Sequence, residues 1–227
     1  MNVTPFLAKT VGIAVLVATL GMSPKAEAAV ILTFGQTSNS PTVTATANAA
    51  HTQTTLSGTG IAVTISQFAG AGAPISAFLN LNLLSNGAAT LFSGSVIQSF
   101  TGSASFTSLA GGGGINYLTA SFTDFVFGGV GGSSLTLSAS EPPGTVSFTS
   151  SVLPGSILGD PRALSFGLAD VTAPVAIVGS TLRGFTASIS GTVSAAAVAV
   201  PEPASLAMLG AGLVALGAIR RRDRAHS

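Results

Sequence analysis

The chain has 227 residues, room for one domain with a single core once its terminal segments are set aside. Only 7% of residues are charged against 47% hydrophobic, and plentiful Ser and Thr alternate with β-branched residues, a pattern that disfavours both a helical bundle and an ordinary cytosolic surface. The formal charge of +1 belongs to the ends: between Ala29 and Val200, Arg162 and Arg183 stand against Asp124, Glu141, Asp160 and Asp170 with no lysine, which excludes a nucleic-acid partner, and the absence of cysteine excludes disulfides and thiolate metal sites.

The first 28 residues read as a signal peptide. Lys9 precedes an apolar stretch from Val11 to Met22, and Ala26-Glu27-Ala28 has the small-x-small form that signal peptidase accepts, which places the cut between Ala28 and Ala29. A retained membrane helix is the alternative, but that stretch is too short for a hydrocarbon core of about 30 Å.

From Ala29 to Ala199 short alternating runs are punctuated by Gly, Pro or Asn. Residues 77–84, 118–127, 134–140, 145–153 and 183–195 approximate period two, as half-buried strands do. Phe122, Val126, Leu135, Leu137, Val146, Phe148, Phe185 and Ile189 are the predicted inward positions. About ten such strands with no amphipathic helix point to an all-β domain, an antiparallel sandwich or jelly roll. A β-solenoid would suit the Gly and Thr content but lacks a fixed period. Gln36 to Gly58 is the least patterned stretch, a loose edge strand or long loop.

Gly111 to Gly114 and Gly128 to Gly132 resemble phosphate-binding loops only superficially, since no Gly-Lys-Ser/Thr or βαβ context accompanies them; hairpin turns are the expectation. No nucleophile elbow surrounds any serine, and His51 lies in a polar stretch, as a surface loop residue would. The four central carboxylates could supply a glycosidase pair, yet the chain has no Trp and only Tyr117 to act as a sugar platform. Asp160 before Pro161, Asp170 at a strand end and Glu141 before Pro142 read as turn residues. Asp124, mid-strand, is the carboxylate whose facing matters: if it shares the face of Phe122 and Val126 it is buried and needs a partner, with Arg162 or Arg183 as candidates. No catalytic, cofactor-binding or metal-ligating set is predicted.

The C-terminal end has three parts. Val200-Pro201-Glu202-Pro203 cannot continue a helix or join a ladder, so it stays extended and leaves a carboxylate accessible. Ala204 to Ile219 is an uncharged run of 16 residues; as a helix it is about 24 Å long, a marginal transmembrane span. Arg220, Arg221 and Arg222 follow and fix its direction, with the preceding domain outside the inner membrane. In this order and position the segment resembles the PEP-CTERM protein-sorting domain of Gram-negative bacteria. The resemblance covers only residues 200–227 and implies recognition by an exosortase, a membrane-embedded cysteine protease-transpeptidase, with Pro201, Glu202 and Pro203 as its substrate.

The expected organisation is therefore signal peptide 1–28, β-domain 29–199 and sorting tail 200–227 with a transmembrane helix at 204–219. The expected role is that of an exported, non-enzymatic surface or matrix protein, structural or adhesive, transiently anchored in the inner membrane and associated with exopolysaccharide or biofilm. Signal peptidase and exosortase are its processing partners, and its hydroxyl-rich surface could carry O-linked glycans. A hydrolase of envelope polymers and a permanently anchored periplasmic protein are the alternatives.

Overall fold

The computed structural model describes residues 28–40, 42–69, 72, 74–129, 135–197 and 212. Thirteen strands run β1 (Ala28–Gln36), β2 (Val43–Ala47), β3 (Thr54–Phe68), β4 (Ile75–Ser85), β5 (Thr90–Phe92), β6 (Ser95–Thr107), β7 (Asn116–Gly129), β8 (Leu135–Ser140), β9 (Val146–Thr149), β10 (Gly159–Thr172), β11 (Ile177–Val178), β12 (Thr181–Leu182) and β13 (Phe185–Ala196). All pairings are antiparallel.

The sheet closes on itself. β1, β3, β4, β6, β7, β8, β10 and β13 pair each with the next, and β13 pairs back to β1. These eight staves follow chain order, so the fold is an up-and-down barrel, and the sandwich or jelly roll predicted from the sequence is not what forms. Alternation requires one buried face, and a closed barrel supplies it as well as two stacked sheets do. Two staves are broken. β2 continues the line of β1 between β13 and β3, and β9 continues the line of β8 along β7. The stretch from Gln36 to Gly58, expected to be loose, thus supplies a stave segment and the start of β3.

Bulges bend the staves and reset their alternation. Phe100 of β6 faces Phe125 of β7 while Gly102 faces Phe122, so Thr123 and Asp124 together stand opposite Thr101. Before this bulge Leu118, Ala120 and Phe122 point inward; after it Phe125 and Phe127 do. Val126, predicted inward, is 38% exposed, and Asp124 is exposed rather than buried. The same device acts in β3, where Thr59 and Gly60 oppose Asn80, and the inward set changes from Leu56 to Ile61, Val63 and Ile65. Gly102 is required at its position: its φ is +150, and a Cβ there would run into the backbone carbonyl of Asn82.

The lumen is filled by side chains. Phe34 packs edge-on against Phe106 at 4.7 Å and Phe166 at 5.4 Å, Phe125 reaches Phe166 at 5.4 Å, and Phe122 reaches Phe125 at 4.4 Å. This cluster joins β1, β6, β7 and β10 across the barrel; each buried Phe contributes about 1.5–3 kcal/mol and each ring pair roughly 1 kcal/mol more. Leu135, Leu137, Val146, Phe148, Phe185 and Ile189, all predicted inward, are buried. At the end away from the termini, the β11–β12 hairpin closes the barrel: Leu182 N–H donates to Thr54 Oγ1 at 3.0 Å, Thr54 N–H to Ser85 Oγ at 2.8 Å, and Gln98 Nε2 to Gly87 O at 2.9 Å. These partners allow Thr54 and Ser85 to be buried, while Gln98 is buried with its Nε2 bonded and its Oε1 without a hydrogen-bond partner among the described residues.

The outer wall carries Thr64, Ser66, Asn82, Thr136, Ser138 and Ser165 at exposed or half-buried positions. That is a water-facing coat, unlike the apolar belt of a lipid-facing barrel. Among the described residues no helix is long and apolar enough to cross a membrane.

Candidate functional site

Ala28 and Ala29 open β1 and pair with Ala196 and Ala195, the last two residues of β13. Both are exposed at the rim, with the predicted signal-peptidase bond between them. Ala26, the sorting residues Val200, Pro201, Glu202 and Pro203, and Arg220, Arg221 and Arg222 lie outside the described residues, as does the predicted helix 204–219 apart from Gly212. β13 ends at Ala196. The seam between first and last strands therefore brings the segments that lead to the leader and to the tail out at one end of the barrel.

The carboxylates are spread over the wall, with one convergence. Arg162 Nη1 lies 3.2 Å from Glu141 Oε2 and 2.6 Å from Asp160 Oδ1, and also donates to Val146 O at 2.9 Å, while its Nε donates to Leu158 O at 2.8 Å. The Arg162 side chain, only 22% exposed, ties the break between β8 and β9 to the start of β10. Glu141 and Asp160 are thus its counter-ions, and their geometry is that of a staple.

Asp170 adopts φ +52 and accepts a hydrogen bond from Ser188 Oγ at 2.9 Å. His51 is exposed in the β2–β3 loop, where its carbonyl accepts from Ser180 N–H. Among the described residues no group of three or more His, Asp or Glu could hold a metal ion. Gly111 to Gly114 form the β6–β7 hairpin loop, as predicted. Gly128 and Gly129 belong to β7, and residues 130–134 lie outside the described set.

Shallow grooves mark the outer wall. One of about 370 Å³ is lined by Asp124, Val126, Ser138, Ser140, Gly144 and Ser165. A neighbour of about 490 Å³ shares Val126 and adds Ser95, Ile97 and Thr136. A third, of about 420 Å³, runs over Asn39, Thr42, Asp170, Thr172, Thr186 and Ser188. Their linings mix hydroxyl groups with Val126, Leu164, Ile97, Leu135 and other apolar groups, with a carboxylate in the first and the third. Strict period two hid the first groove; the Asp-Phe-Val-Phe run of β7, two Phe on one parity after Phe122 on the other, was the available sign of a bulge.

The tail carries a recognised sorting motif. Residues 199–222 match the family model of the PEP-CTERM protein-sorting motif. No curated protein and no solved structure matches the chain. The PEP-CTERM match covers the tail alone and implies an exported protein processed at the membrane by an exosortase. With β13 ending at Ala196, the PEP-CTERM segment begins three residues beyond the barrel wall.

Proposed function

We propose that this chain is an exported surface or matrix protein, delivered by exosortase processing of its PEP-CTERM tail, whose barrel serves a structural or adhesive role rather than catalysis. The observation that carries the reading is the match of residues 199–222 directly after a closed barrel. Signal peptidase would release the leader at Ala28–Ala29; the apolar run 204–219 would hold the tail in the inner membrane, with Arg220 to Arg222 on its cytoplasmic side. Pro201-Glu202-Pro203 is the extended grip for the exosortase, and catalysis belongs to that enzyme.

The hydroxyl-rich wall and its shallow grooves support contact with exopolysaccharide or attachment of O-linked glycans. Against the hydrolase alternative, Glu141 and Asp160 are engaged by Arg162. Mass spectrometry of the C-terminus in an exosortase-positive host tests the route. The expected product ends before Ile219; an intact "IRRRDRAHS" peptide at steady state favours the permanently anchored alternative instead. Mass heterogeneity sensitive to periodate is expected of protein from that host, whereas a single mass equal to the bare chain rules out glycosylation.

A further inference from the structure

We propose that, while the tail is in place, the terminus-bearing end of the barrel rests on the outer leaflet of the membrane through Ile115 and Val152, an inference that rests on the sorting reading above. The chain path sets the geometry. Ala197 is the last contiguous described residue and the apolar run begins at Ala204, so seven residue steps bound the separation at about 25 Å. Whatever faces outward at this end is held close to the lipid headgroups.

At that end lie the described parts of the β3–β4, β6–β7 and β9–β10 connections, whose sequences contain no charged residue; Asp160, two residues beyond the last of them and 63% exposed, is paired with Arg162. Ile115 is 50% and Val152 43% exposed. The chain brings their neighbours together: Ser151 N–H donates to Asn116 O at 2.9 Å and Asn116 N–H donates to Ser151 Oγ at 3.1 Å. Ile115 is further fixed by its N–H donating to Ser108 Oγ at 2.8 Å. Two apolar side chains on connections that carry no charge of their own cost free energy in water and gain it at the headgroup–acyl boundary. Leu91 and Phe92 are more exposed, at 68% and 69%, but they sit at the opposite end of β6, beyond the reach set by the linker.

The protein contains no cysteine, so single-cysteine variants give unique labelling sites. Tail-bearing protein from a host without an exosortase, carrying Ile115→Cys, Val152→Cys or Phe92→Cys and an environment-sensitive fluorophore, is incorporated into phosphatidylethanolamine–phosphatidylglycerol vesicles. The labels at 115 and 152 are expected to shift to shorter wavelength and be quenched by lipid-borne nitroxide, while the label at 92 keeps its emission in buffer and is quenched by iodide. Equal iodide quenching at all three sites in vesicle-bound protein overturns the inference and leaves the anchored tail standing. Failure to float with the vesicles overturns both. Protection that requires phosphatidylglycerol or vanishes in salt contradicts an apolar contact, and lipid quenching at 92 alone means that the opposite end meets the membrane.

Discussion

Ala28 lies opposite Ala196 in the seam where the first strand of the barrel meets the last. Some 170 residues separate the partners, so the seam forms only when the whole domain is available, and the segments leading to the two termini leave the barrel beside each other. Gly191 to Ala196 are held on two sides, by β1 and by β10. Ending the mature chain at Ala197 is expected to leave the unfolding midpoint unchanged relative to the tail-bearing protein in the same detergent. Ending it at Ala187 removes both ladders and abolishes cooperative unfolding, as followed by circular dichroism.

Gly102 tests the bulge that aims Phe125 into the lumen. Gly102→Ala places a Cβ against the Asn82 carbonyl, a backbone atom that cannot move aside, at a φ that L residues avoid. A loss on the order of 3 kcal/mol is expected in urea titration. Gly35→Ala is the control, since nothing lies within 4 Å of its added methyl group; there the change is expected to be neutral or to stabilise by roughly 0.5 kcal/mol.

Removing Arg162 leaves the carbonyls of Val146 and Leu158 without their donor and Glu141 and Asp160 without a counter-ion. The carboxylates are partly exposed and can recover water, so the loss is carried mainly by the carbonyls. Arg162→Ala is expected to cost about 2 kcal/mol. Glu141→Gln, which keeps a neutral acceptor, is expected to cost less than about 1 kcal/mol in the same titration.

Processing is predicted to depend on the motif and not on the barrel. Glu202→Ala in an exosortase-positive host is expected to leave the tail attached, visible as retained "IRRRDRAHS" peptide in membrane fractions. Asp124→Asn, on the outer wall, is expected to leave processing unchanged and stability within about 0.5 kcal/mol. Equal tail loss in both variants would show that another feature is recognised.

Period-two runs made the strands legible, because a strand with one wet face must alternate: Leu135 and Leu137, Val146 and Phe148, and Phe185 and Ile189 are all buried as read. The tail was legible too, since an extended Pro-Glu-Pro, an apolar run and a basic cluster express their properties along the chain without any partner. Tertiary structure alone decided the rest. Closure of the barrel depends on β1 meeting β13, a contact between residues that no local pattern relates. The direction of Val126 and Asp124 depends on one extra residue opposite Thr101, and a single such residue inverts every side chain that follows it. Local periodicity sets which residues can share a face; long-range pairing and its bulges decide which face looks inward.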